Sequence, residues 1–134
     1  SAFYDASGMD PRNMTTARDI ALIAEAAFAN PVVRRAAQTG TYRFAIQNTG
    51  DAKTIRNTND LLADTHKVWV IGGKTGYLEE SQYNLVVHVR AMDAEGKPVY
   101  GRDLLVAVLG SPTKKGSFFT AERLAQWAWN NHAF

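Results

Sequence analysis

Three apolar segments in the second half of the chain, residues 68–76, 83–91 and 99–109, set the tightest limit on its fold. The first opens with Val68-Trp69-Val70-Ile71, a run of β-branched and aromatic side chains that suits a pleated strand. Val68 to Gly76, Tyr83 to Ala91 and Val99 to Leu109 all read as strands, with a turn at Asp93-Ala94-Glu95-Gly96 before the third. The connections are shorter than the dozen or more residues that a parallel crossover requires. The three strands are therefore expected to be antiparallel neighbours.

The first half carries helical spacing. Residues 1–14 (SAFYDASGMDPRNM) are rich in Gly, Pro, Asp and Asn and read as a loop, with Asp5, Asp10 and later Asp19 as turn and cap residues. Thr15 or Thr16 then caps a helix, and Asp19 follows Thr16 at capping-box spacing. Ile20, Ile23, Ala24, Ala27 and Phe28 form its buried stripe. Asn30-Pro31 ends this helix and starts a second, Val32 to Gln38, which closes at Gly40. Tyr42, Phe44 and Ile46 alternate with polar or small residues, Asn48-Thr49-Gly50-Asp51 turns the chain, and Lys53 to Arg56 returns as a hairpin partner. Asn57-Thr58-Asn59-Asp60 leads into one helical turn at Leu61-Leu62. Ser117 or Thr120 is expected to cap a last helix that presents Ala121, Leu124, Trp127 and Ala128 to the sheet. Helices, hairpin, three-stranded meander and C-terminal helix make an α+β chain.

A chain of 134 residues with 46% hydrophobic residues suits one domain, residues 1–134, with a core that needs no metal or disulfide staple. No apolar run reaches the ~20 residues that span a bilayer. The net charge of +2 is read as too small and too scattered for a nucleic-acid groove, despite a pI of 9.0. The absence of cysteine leaves the redox compartment open. Ser1-Ala2-Phe3-Tyr4 has neither an initiator Met nor a signal pattern, and the chain is expected to be cut from something longer. His66, His88 and His132 lack the spacing of a metal site, so no metal and no cofactor is expected.

Chemistry concentrates in Gly72-Gly73-Lys74-Thr75-Gly76-Tyr77. A phosphate-binding G-x-x-x-x-G-K-[ST] loop fails, because it needs glycine where Val68 stands. The other functional reading is K-T-G, one of three motifs of penicillin-binding proteins and serine β-lactamases. A strand bordering an active site can receive an extended peptide by strand addition. Lys74 would supply a fixed positive charge beside a nucleophile and attract a terminal carboxylate, and Thr75 would add a hydroxyl donor. Gly76 would let the substrate backbone come close. The bland reading is a lysine and a threonine on a solvent-facing strand.

The surroundings favour the functional reading. Phe3-x-Asp5-x-Ser7-Gly8-Met9-Asp10, Asn13-Met14-Thr15-Thr16-Ala17-x-Asp19-Ile20-Ala21, Asn57-x-Asn59-x-Leu61-Leu62, Gly73-Lys74-Thr75-Gly76-Tyr77 and Tyr83-Asn84-Leu85-Val86 follow one another in order. Together, from Phe3 to Trp129, they resemble the D-alanyl-D-alanine carboxypeptidases, the low-molecular-mass penicillin-binding proteins. The resemblance implies a β-lactamase/transpeptidase-like fold and an extracytoplasmic site of action. It also implies an acyl-enzyme mechanism on peptidoglycan stem peptides that β-lactams trap. On it, Lys74 is the catalytic candidate, and Thr75, Gly76 and Tyr77 are the substrate-binding candidates.

The chain departs from the family in what it lacks. The S-x-x-K nucleophile motif and the S-x-N motif lie upstream of the matched region, and no S-x-N occurs here. The one S-x-x-K string, Ser111-Pro112-Thr113-Lys114, follows the last strand in a loop, whereas the family's motif opens a helix. Leu78 and Ser81-Gln82 stand where relatives carry Thr and Ala-Gly, and Ser117 stands where a basic residue often follows Lys-Gly. The reading is the C-terminal part of a serine DD-peptidase catalytic domain, inactive alone. It would pair with the missing N-terminal part or with a second copy, and bind no nucleic acid. The rival is a non-catalytic module that binds a peptide or partner along the Val68–Gly76 edge.

Overall fold

The computed structural model describes residues 1–63 and 66–133. Helix α1 runs Ala17–Ala29 from Thr16, whose hydroxyl accepts the Asp19 backbone N–H at 3.1 Å. The Asn30 side chain accepts from the N–H groups of Val32 and Val33 and so caps α2, Pro31–Gln38. Pro31 occupies a first helical position, where its missing N–H costs nothing. A free-standing hairpin follows, β1 (Thr41–Ala45) antiparallel to β2 (Ala52–Arg56), with Thr41 opposite Arg56 and every position exposed. One 3₁₀ turn, Asp60–Leu62, is capped by Asn59 and buries Leu61.

The meander forms as the short connections require. Strands β3 (Trp69–Leu78), β4 (Gln82–Met92) and β5 (Pro98–Ser111) pair antiparallel in the order β3-β4-β5. The central strand is apolar on one face, at Leu85, Val87, Val89 and Ala91, whereas its other face carries Asn84, Val86, His88 and Arg90. Leu85, Val87 and Val89 of β4 join Val106, Leu61, Phe118, Ala121 and Ala125 in the larger core, beneath helix α3 (Lys114–Asn131). Val86 faces the other way, against Ala24 and Phe28 of α1 with Leu105 and Ala107 beside them. A bulge at Ile71, between Val70 and Gly72, changes the register of β3 before its glycines.

Three expectations are corrected. The last helix starts earlier, at Lys114, with Thr113 as its cap accepting from Gly116 N–H at 3.0 Å. Ser117 lies buried in the first turn, donating to the Lys114 carbonyl. The face of α3 on the sheet is Phe118, Ala121, Ala125 and Trp129, whereas Leu124 and Trp127 are exposed. In α1, Ala24 and Phe28 are buried as the stripe predicts, but Ile23 is exposed and lines an open cavity. Among the described residues, no helix is long and apolar enough to cross a membrane.

Candidate functional site

Two of the three glycines flanking Lys74 shape the strand that carries it. Phe28 of α1 lies on Gly72, where a Cβ would stand 2.9 Å from the ring. On the opposite face Gly73 meets Asn59, where a Cβ would stand 2.5 Å from Nδ2. These bare positions let α1 close over one face of β3 and the 57–62 loop over the other. Gly76 is different, since its nearest neighbour would be Asn84 Cβ at 3.9 Å. Nothing in the described chain requires glycine there.

Register assigns the faces between these glycines. Lys74 pairs with Val86 and shares the α1 side, whereas Thr75 pairs with Leu85 and shares the side of the 57–62 loop. Lys74 is exposed, its ammonium turned back to the Thr75 carbonyl. The Thr75 hydroxyl is held 2.6 Å from that of Thr58. β3 is an edge strand, so side chains from both faces reach a ligand lying along its open edge.

Two open cavities meet at this point. One, of about 650 Å³, lies between α1, α2 and β3 and includes Ile20, Phe28, Val33, Thr58, Lys74 and Thr75 in its wall. The other, of about 560 Å³, lies between the N-terminal loop and the end of β3, with Pro11, Met14, Lys74, Thr75, Gly76 and Asn84 in its wall. The loop keeps its shape around Asp5, which accepts from Asn13 Nδ2 at 2.6 Å, from the Ser7 hydroxyl and from Met9 N–H. Those donors, Asn13 first, hold the Asp5 carboxyl well below the usual carboxylate range.

The structure thus brings Lys74, Thr75 and Gly76 to one place. Tyr77 stands apart, its ring 4.5 Å from Tyr83 across the strand pair, and it lines neither cavity. Asn57 and Asn59 serve the backbone: Asn57 Oδ1 accepts from Asn59 N–H, and Asn59 Oδ1 from Leu61 N–H. Sequence reading passed over Thr58 between them. The Asn-x-Asn spacing turns two amides inward and the middle side chain outward, and that was the available signal. Ser111 ends β5, buried, with its hydroxyl donated to the Thr113 carbonyl, and Lys114 pairs with Asp60 at 3.0 Å. Serine and lysine of that string serve separate structural bonds.

The chain matches the D-alanyl-D-alanine carboxypeptidase (peptidase S11) family model over residues 1–100. It belongs to that family. Solved structures agree in fold. A D-alanyl-D-alanine carboxypeptidase from Mycobacterium tuberculosis superposes with a TM-score of 0.60 at 26% identity, over 87% of this chain and 40% of that one. Penicillin binding protein 5 from Haemophilus influenzae superposes with a TM-score of 0.66 at 27% identity, over 90% of this chain and 31% of that one. A penicillin-binding protein homologue from Mycobacterium tuberculosis gives 0.60 at 26% identity, over 89% and 43%. The chain therefore spans less than half the length of these three, and its α+β fold is the β-lactamase/transpeptidase fold of the family. No curated protein matches it.

Proposed function

We propose that this chain, residues 1–134, is the C-terminal part of the catalytic domain of a serine D-Ala-D-Ala carboxypeptidase. It would contribute the strand that binds the peptidoglycan stem peptide. The observation that carries this reading is the placement of Lys74-Thr75-Gly76 on an edge strand, with an open backbone edge and two cavities meeting at Lys74. The stem peptide would add to β3 as a further strand, its main chain hydrogen-bonded to the free edge. Lys74 and the Thr58-held hydroxyl of Thr75 would receive the terminal carboxylate, and Gly76 would leave room for the approach. A serine from an upstream part would attack the penultimate D-alanine carbonyl, release the last D-alanine and yield the acyl-enzyme to water. β-Lactams would acylate the same serine, and the site of action would lie outside the cytoplasmic membrane.

Two measurements test the reading on the chain itself. Titration of the ¹⁵N-labelled chain with an acyl-D-Ala-D-Ala peptide should shift the amides of residues 74–77, and Lys74→Ala should remove the response. Shifts confined elsewhere would refute it. Incubation with benzylpenicillin followed by intact-mass spectrometry should give no adduct, since Ser111 is buried and committed to Thr113. A stoichiometric adduct would place the nucleophile within these 134 residues and overturn the claim that the chain is inactive alone.

A further inference from the structure

The segment from Pro31 to Asn57 gives the site above only one wall of a cavity, yet it holds most of the unbalanced charge. Arg34, Arg35, Arg43, Lys53 and Arg56 face one acid, Asp51, so five minus one leaves +4 on α2 and the hairpin, in a chain of net charge +2. Among the described residues, none of these cations has an ion-pair partner. The positive charge is therefore gathered, contrary to the scattered pattern expected from the whole chain.

The same segment leaves apolar surface bare. Tyr42 and Phe44 share one face of the hairpin with Ile55, by strand alternation and register, and Ile46 continues the row. These four side chains are 37% to 57% exposed, and the Tyr42 and Phe44 rings stack at 6.1 Å. Across an open cavity of about 400 Å³ stands Val32 of α2, 74% exposed, with Arg35 and Arg56 also in the wall. A two-stranded hairpin with one bare apolar face is marginal in water, so this face gains from cover.

We propose that α2 and the β1–β2 hairpin form a docking surface for an anionic lipid bilayer. The Tyr42/Phe44/Ile46/Ile55 face would enter the headgroup–acyl boundary while Lys53 on the same face, and Arg35 and Arg56 in the wall of the adjoining cavity, engage lipid phosphates. Aromatic and aliphatic side chains ringed by Lys and Arg are the pattern of an interfacial element, and each cation near an anionic surface strengthens binding about fivefold. A second copy is a poor occupant, because it would oppose one +4 surface to another. A purely acidic polymer would satisfy the arginines and leave the apolar row in water.

Vesicle co-sedimentation of the chain tests this. Vesicles of phosphatidylcholine mixed with phosphatidylglycerol should bind it, vesicles of phosphatidylcholine alone should not, and added salt should weaken the binding. Arg35→Gln with Arg56→Gln should lower partitioning about 25-fold, two cations at about fivefold each. Phe44→Ser should weaken binding without changing its salt dependence. In Phe44→Trp, tryptophan emission should move to the blue with the anionic vesicles only. All substituted side chains are exposed, and an unchanged far-UV circular dichroism spectrum confirms that each variant is folded. Equal binding to both vesicle types, or no vesicle binding by the folded chain, overturns the proposal. Retention by immobilised poly-glutamate without vesicle binding overturns it in favour of an acidic polypeptide partner.

Discussion

Glycine at positions 72, 73 and 76 answers three different neighbours, and substitution separates them. Alanine at position 73 would drive its Cβ to 2.5 Å from Asn59 Nδ2, with Val87 Cγ2 at 3.4 Å behind it. Asn59 is 2% exposed, capped onto Leu61 and, among the described residues, without a partner for that Nδ2, so it has little room to yield. Gly73→Ala should therefore cost about 1–3 kcal/mol in urea unfolding. Asn59→Ala should itself cost about 1 kcal/mol through the lost cap, but it removes the obstacle. The double variant should thus be more stable than the sum of the singles by at least about 0.5 kcal/mol. Strict additivity would show that the Asn59 amide is not what excludes a side chain from position 73. Gly76→Ala should stay within about 0.5 kcal/mol of the parent, because nothing described lies nearer than 3.9 Å. The sequence motif points to Gly76 alone. Gly72 and Gly73 are explained only by Phe28 and Asn59, which sequence spacing cannot place against β3.

At the scale of single elements, α3 shows how a cap hides in a loop-like string. Ser111-Pro112-Thr113-Lys114-Lys115-Gly116 carries the punctuation of a turn, which is why the start of the helix reads too late in sequence. Gly116 is the third helical residue, and a Cβ there would sit 2.7 Å from Thr113 Oγ1, so the glycine makes room for the capping hydroxyl. Thr113→Ala should cost about 1 kcal/mol in thermal or urea unfolding and Thr113→Ser much less; equal losses would deny the hydroxyl its capping role. The contact of α1 with the sheet predicts a pH response. His88 lies beside Phe28, with ring centroids 6.5 Å apart, and burial pushes its pKa below the usual 6.5. Asp103 opposes that shift from 3.9 Å, but both its oxygens hold Arg90, and Arg90 and Arg34 act against Glu25 to lower the pKa further. The unfolded chain then takes up a proton first as pH falls. The His88 contribution is complete above pH 6.5 and is lost as pH falls from there through the folded-state value. Between about pH 7.5 and 5.5, the urea midpoint should fall more steeply for the parent chain than for His88→Gln. Parallel declines would assign the acid sensitivity to other groups.

Over the whole molecule, strand order was legible because period-2 alternation and short connections leave a meander little freedom. Which edge of that meander stays open was not, because an edge is defined by strands elsewhere in a protein. In the structure, β3 and β5 each present one edge unpaired by any described strand, with Trp69 and Tyr77 exposed along β3. The α1 side of the sheet is covered mainly at Ala24 and Phe28, whereas α3 seals the other side with Phe118, Ala121 and Ala125. A sheet with two open edges and one half-covered face is a template for pairing. Sedimentation velocity should therefore show association that grows with concentration. Trp69→Lys, which puts a charge on the open strand, should reduce it while leaving far-UV circular dichroism unchanged. This outcome fits a chain whose sheet is completed by another polypeptide, as the proposed role in a divided catalytic domain requires. A monomer at every concentration, unfolding in one cooperative step, would mean that the open edges are tolerated in water. The Lys74 strand would then belong to an independent domain, and the peptide- or partner-binding module would become the better account of it.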